Sequence, residues 1–376
     1  MAIVICAELS ERCKAELDEI VQLGGYRDYS EAVSVALSNQ LILQRCAGES
    51  RAFVLGPESP ALAARREGDA PMVVSVLSPP KAFAGVPPGF AHAVAQDCQS
   101  EPAPLPNDVF SKGSKITVDR WFFGQHNKLL PVKASCRALA ILLVERPLGV
   151  PISDAAPRIA KEAAELGDYL RQLDARSGAI REEALATAFP NTGEDSDRSR
   201  LRYSNQFIAN RSAQGQLSGL LADLKLLNRL QGKEPLLLLT EPGLQFAKLL
   251  NPILDEPKRS NGTPRPRFSE EETRFLLKHI SDSVPVEHYA VRTILRALKA
   301  GINTPESLDE ELRALLPSGK KRVSDAFVTT QRSGVISRMS DLDLVMRRRD
   351  GIRVRYEATP RGIAYLNGQP GADHEN

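Results

Sequence analysis

The chain is poor in the residues from which catalytic and metal sites are usually built. Its five cysteines (Cys6, Cys13, Cys46, Cys98 and Cys136) are scattered, odd in number and form no CxxC pair. That pattern excludes a disulfide framework and points to a reduced, cytoplasmic compartment. His92, His126, His279, His288 and His374 are not spaced with them as zinc ligands. There is no P-loop, no G-x-S-x-G and no H-E-x-x-H, so nothing argues for an enzyme, a cofactor or a metal. No apolar run is long enough to span a bilayer, and Met1–Glu8 lacks the basic region of a secretory signal. Excess charge is lacking too. The net charge is +2, so only its distribution can speak for or against nucleic acid.

What is present is length and local order. With 376 residues, 42% of them hydrophobic, the chain can hold two or three ordinary cores. The most informative stretch is Ser333–Leu366. An apolar helix end (Leu342, Leu344, Val345) gives way to Arg347, Arg348 and Arg349, and Asp350-Gly351 then makes a turn. Ile352, Val354, Tyr356 and Ala358 alternate with Arg353, Arg355 and Glu357, the period of a half-buried strand. Thr359-Pro360 caps and opens a short helix. Residues 224–250 echo this layout. Leu224, Leu226 and Leu227 match Leu342, Leu344 and Val345, while Gly232, Thr240, Gly243 and Phe246 match Gly351, Thr359, Gly362 and Tyr365.

Helix, strand, basic hairpin, strand and helix, with T-x-x-G after the second strand, resemble the winged helix-turn-helix family, here in two tandem copies. The resemblance implies nucleic-acid binding through a recognition helix and a wing. In the second copy the helices are expected around Ser269–Ile280, Val284–Ala300 and Pro305–Leu315. The recognition helix follows from about Val323 to Leu344 and offers Gln331, Arg332 and Arg338 after Lys320, Lys321 and Arg322; the wing offers Arg347, Arg348, Arg349, Arg353 and Arg355. From Lys320 to Arg361 eleven Lys or Arg face five Asp or Glu, a net of +6 in a protein whose total is +2. Arg and Gln suit base edges, whereas Ser and Thr suit phosphates or thymine methyls.

In the first copy the order begins at Ile116. Trp121, Phe122 and Phe123 staple the start of a helix over Val132–Glu145. Lys128, Lys133 and Arg137 could face phosphates, but packing and capping are the simpler roles for this segment. Helices over Ser153–Leu173 and Glu182–Phe189 follow. Arg198, Arg200, Arg202 and Arg211 then accompany a helix carrying Phe207, Ile208 and Leu217, the place for a recognition helix. Glu194, Asp195 and Asp197 dilute that charge, and Leu236–Leu239 is apolar on both faces. This copy is therefore expected to serve packing or protein partners at least in part.

At the N-terminus Ile3, Ile5, Ala7 and Leu9 form one face of a short strand, and two helices follow. L-S-x-x-x-x-x-x-L from Leu9 and Y-S-E-A-V-x-x-A-L from Tyr29 resemble the ribbon-helix-helix family over residues 2–44. That resemblance implies a homodimer whose strands pair through Ile3, Ile5, Ala7 and Leu9, since a lone strand leaves its backbone unsatisfied. The outward positions Val4, Cys6 and Glu8 are poor DNA donors, which favours a clasp over a DNA reader. The expected fold class is thus mainly α with short β elements. Its parts are a ribbon-helix-helix (1–46), a long Pro-rich linker (47–115), a winged-helix domain (116–256), a short linker (257–268), a second winged-helix domain (269–367) and a tail (368–376). The expected function is a cytoplasmic, dimeric, double-stranded-DNA-binding protein, most simply a transcriptional regulator. The rivals are a non-catalytic assembly subunit and, since tandem winged helices also resemble plasmid replication initiators, a replication or partition protein.

Overall fold

In a computed structural model the described residues are 86–107, 116–177, 184–193, 196–211, 217–230, 235–255, 266–316, 324–351 and 353–368. The N-terminal strand residues Ile3, Ile5, Ala7 and Leu9 and the strand expected at Met72–Leu77 lie outside them. The architecture is helical with small antiparallel sheets. No helix among the described residues is long and apolar enough to cross a membrane.

The first half runs α1 (His92–Gln96), α2 (Leu130–Glu145), β1 (Val150–Pro151), α3 (Ile152–Ser177) and α4 (Ser196–Tyr203). A π-helical turn, Ser204–Ile208, leads to the short pair β2 (Asn210–Arg211) and β3 (Leu217–Ser218), then α5 (Leu220–Asp223), β4 (Leu227–Leu230), β5 (Leu236–Leu239) and α6 (Glu241–Lys248). β5 lies between β1 and β4, which buries its leucines on both sides. Three expectations need correction. The helix expected at Glu182–Phe189 is a turn over residues 185–188 in which Ala188 takes φ 73°. Leu217 does not continue a helix with Phe207; it pairs in β3 opposite Arg211. Finally, the Pro-rich stretch is not a linker throughout. Pro88 opens a 3-10 turn ending in buried Phe90, and Ala95, Cys98 and Ala103 are buried as well. The Ala103 amide donates to Leu239 O at 2.9 Å. Proline here starts turns at a position where its missing N–H costs nothing.

The second half runs α7 (Glu270–Ser283), α8 (Pro285–Lys299), α9 (Pro305–Ala314), α10 (Asp325–Asp341), β6 (Val345–Asp350), β7 (Arg353–Ala358) and α11 (Pro360–Leu366). Each helix start is written in the sequence. Ser269 and Glu272 form a capping box on α7, Thr304 caps α9, and Ser324 caps α10 through the Phe327 amide.

The internal echo is a repeated corner. Lys225 and Asp343 both take φ 55°, a left-handed value. Thr240 Oγ1 donates to Lys225 O at 2.7 Å, and Thr359 Oγ1 to Asp343 O at 2.6 Å. Their amides donate to Leu226 O at 3.0 Å and Leu344 O at 3.1 Å. Each threonine in turn caps the next helix through Gly243 N and Gly362 N. The glycines are needed for close approach: a Cβ on Gly243 would lie 1.9 Å from Leu226 O, and one on Gly362 would lie 2.2 Å from Leu344 O.

The polar segment around 257–268 is a break in the sequence but not in the core, which runs continuously through both halves. Buried cations on α2 stitch them together. The Lys133 ammonium uses its three donors on Phe246 O, Leu249 O and the Glu272 carboxylate, the last at 2.9 Å with both side chains fully buried. Burial lowers the Lys133 pKa to about 8 and raises that of Glu272. Arg137 directs all five of its donors at Asp255, Leu249 O, Phe90 O and Ala247 O. His279 of α7 bonds Leu224 O in the first half at 2.7 Å.

Two tests follow from these contacts. Gly243→Ala and Gly362→Ala should each cost about 3 kcal/mol in urea unfolding by forcing backbone apart, against about 1 kcal/mol for Gly351→Ala, which has open space and only a left-handed φ of 58° to strain. Equal losses at all three positions would refute the close-approach account. Burial lowers the His279 pKa from the usual 6.5, so below that pH the unfolded chain takes up the proton that the folded one resists. His279 therefore contributes stability above pH 6.5 that is lost as pH falls. His279→Gln should shrink the drop in Tm between pH 7.5 and 5.5, the comparison leaving the other titrating groups unchanged; an identical drop in both proteins would contradict it.

Candidate nucleic-acid interface

β6 and β7 form a hairpin with six paired positions from Val345↔Ala358 to Asp350↔Arg353, closed at Gly351. At its root Val345 and Tyr356 are buried, and farther out every described residue of both strands is exposed except half-buried Val354. Strand alternation puts Arg348, Arg353 and Arg355 on one face with Met346, Asp350 and Glu357. Arg347 and Arg349 lie on the other face beside Val354 and Tyr356. All five arginines are exposed. Arg348 stands directly opposite Arg355, and its Nε reaches diagonally to Glu357 at 3.2 Å. Opposed like charges weaken a ribbon, so this face carries cations at some cost to itself.

Arg332 fixes the hairpin. Its Nε donates to Asp309 Oδ1 of α9 at 2.7 Å, and its Nη1 lies 3.2 Å from Tyr356 Oη. The Tyr356 amide donates to Asn303 O at 2.8 Å, which joins the ribbon to the chain just before α9. One buried guanidinium thus ties α10, α9 and β7.

α10 differs from its expected role. Gln331, Arg332 and Arg338, expected to read bases, are all buried. Arg338 makes a bidentate pair with Glu287 at 2.7 and 2.8 Å and donates to His126 O, lying over the Phe122 ring at 5.7 Å. Asp341 at the helix end accepts the Leu129 amide at 2.9 Å and pairs with Arg267 at 3.1 Å. Residues of the first half lie along α10: a Cβ on Gly334 would stand 2.4 Å from Gly124 O. The correction has a plain cause. Arg338 answers buried Glu287 and a carbonyl and Arg332 answers half-buried Asp309, so neither remains for a groove. What α10 exposes is Ser324, Asp325, Ala326, Thr329, Ser333 and Ser340. Thr329 already donates to Asp309 and Asp325 pairs with Arg313.

The other candidates scatter. Arg198 and Arg202 are exposed on α4, whereas Arg200 is half-buried and held by Asp197. Arg211 stands in β2. Lys320, Lys321 and Arg322 lie outside the described residues. Lys133 and Arg137 are buried and structural, and Lys128 is buried 3.7 Å from Asp341. A further polar stripe, with two cations, runs along α8. His288, Arg292 and Arg296 recur every four residues on α8 and line an open cavity of about 600 Å³. That i, i+4, i+8 spacing was the available signal.

Compared with family models, with curated proteins and with solved structures, the chain matches none.

Arg338→Ala should cost about 3–5 kcal/mol, because it leaves the buried Glu287 carboxylate unpaired. Arg332→Ala should cost less, about 1–3 kcal/mol, because Asp309 is half-buried and keeps the Thr329 hydroxyl, whereas Arg348→Ala, exposed, should stay within about 0.5 kcal/mol of wild type. Chemical denaturation measures all three. A near-neutral Arg338→Ala would contradict the assignment.

Proposed function

We propose that the chain binds double-stranded DNA through the β6–β7 hairpin, and that its two halves are tandem winged-helix units. The observation that carries this reading is the hairpin: five exposed arginines on a two-stranded ribbon beyond its buried root. Helices α8, α9 and α10, the hairpin and the closing helix α11, with Asn303 just before α9 bonded to β7 as a third strand would be, support the winged-helix assignment. A polyanion would relieve the Arg348–Arg355 opposition. Since α10 exposes hydroxyls and no cation, the contacts are to phosphates through the hairpin more than to bases, and affinity should outrun sequence discrimination. Transcriptional regulation is the role we favour, with residues 1–46 as the homodimer clasp; replication or partition uses the same DNA contacts.

A second reading has its own support. The first half lies along α10, where a DNA reader would leave the helix clear. That favours an assembly subunit using these surfaces for protein contacts. Fold alone does not choose between them.

Fluorescence anisotropy of a labelled duplex against salt separates the two. Wild type should lose affinity steeply between about 50 and 200 mM salt. Arg347→Ala/Arg348→Ala/Arg349→Ala should flatten the log–log slope by about 3 at unchanged Tm. Absence of binding at low salt would sink the DNA reading and leave the assembly subunit.

A further inference from the structure

The cavity on α8 lies where the two halves meet. Lys225, at the left-handed corner of the first half, faces it together with His288, Tyr289, Arg292 and Arg296 of the second. Arg292 is half-buried and Arg296 exposed, and neither has a hydrogen bond or ion pair among the described residues. Asp282 is the only carboxylate among the lining residues, and it is paired with Lys278 at 2.6 Å. This sets Arg292 and Arg296 apart from the buried cations: Lys133, Arg137, Arg332 and Arg338 each have a carboxylate, and these two guanidinia have none among the described residues.

We propose that this cavity is a binding site for a small organic phosphate, its phosphate held by Arg292, Arg296 and Lys225 and its organic part lying against Tyr289. Guanidinium groups take phosphate oxygens in pairs, and partial burial strengthens the attraction. The volume, about 600 Å³, falls in the range of small-molecule sites, roughly 300–1,000 Å³. A duplex presents a convex backbone, which suits the projecting hairpin better than a hollow between helices. Burial first, and then the two neighbouring guanidinia, hold His288 below its ordinary pKa. Its ring is therefore neutral at pH 7, with Nδ1 and Tyr365 Oη 2.8 Å apart, and the charge facing the ligand belongs to the arginines and Lys225. Because the walls come from both halves, an occupant would brace the seam between them.

The test is thermal unfolding of the full chain with millimolar sodium pyrophosphate as the probe, against sodium chloride of equal ionic strength. The expected result is a rise in Tm of about 3 °C or more. It should persist in Arg347→Ala/Arg348→Ala/Arg349→Ala and disappear in Arg292→Ala/Arg296→Ala. Should the double variant fail to fold, Arg296→Gln, at an exposed position, should still at least halve the shift. No rise beyond the chloride control, or a rise that survives both cavity variants, would overturn the proposal. So would a rise lost only in the hairpin variant, which would mark the hairpin as the anion site. If the cavity variants weaken duplex binding while pyrophosphate does nothing for wild type, the cations grip DNA backbone and the small-ligand site is refuted. These readouts do not depend on duplex binding, so the hairpin reading can fail without this one.

Discussion

The ion pair between Lys133 and Glu272 is the constraint on which the rest of the molecule depends. Both side chains are fully buried, one on α2 of the first half and the other at the start of α7 in the second. A charge placed there is tolerable only if every donor and acceptor around it is met. Phe246 O and Leu249 O complete the ammonium; Asn251 and the Ser269 amide complete the carboxylate. Glu272 thereby closes the capping box of α7 and neutralises α2 at once. Arg137, one turn further along α2, binds Asp255 by the same logic. Arg338–Glu287 repeats it on the far side of the second half, reaching back to His126 O. Such pairs are weak contributors to stability and strong selectors of one arrangement, because any other arrangement strands a charge. They explain why a chain with a polar break near 257–268 forms one core.

Much of the local structure was legible in the sequence. T-x-x-G at Thr240 and Thr359 specified both corners, since a threonine cap and a glycine allowing close approach are chemical requirements that leave residue signatures. Asp350-Gly351 specified the hairpin, and alternation specified β7. The burial of α10 was not legible. A helix with one buried stripe advertises itself by periodicity, but α10 is enclosed by α8 and α9, by β6 and by the 121–129 segment, so little periodicity survives. Arg332 and Arg338 then look like surface cations when read one residue at a time; only their partners, Asp309 and Glu287, reveal them, and those partners are 23 and 51 residues away. The prolines of 87–106 misled for a related reason. Proline reports what its own backbone refuses to do, not whether Phe90 or Ala103 beside it is buried.

The cations of α2, α8, α10 and the β6–β7 ribbon thus fall into two kinds. Those on α2 and α10 are neutralised from within and hold elements in register. Those on the β6–β7 ribbon, and Arg292 and Arg296 beside the seam, face outward or into open space. The division is made by burial, since on the ribbon even the Arg348–Glu357 pair is exposed, and it narrows the candidate nucleic-acid surface, expected on both the recognition helix and the wing, to the hairpin. Arg332 links the two kinds: by tying Tyr356 to Asp309 it sets the angle at which the ribbon leaves the body.

The central claim, that inward cations lock and hairpin cations bind, is tested most directly by amide hydrogen exchange of the full chain with and without duplex DNA. The account predicts added protection confined to residues 345–358, with the slow exchange of 331–339 and 121–129 unchanged. Release of 121–129 with new protection along α10 would contradict it, by showing that the helix opens and reads the DNA itself.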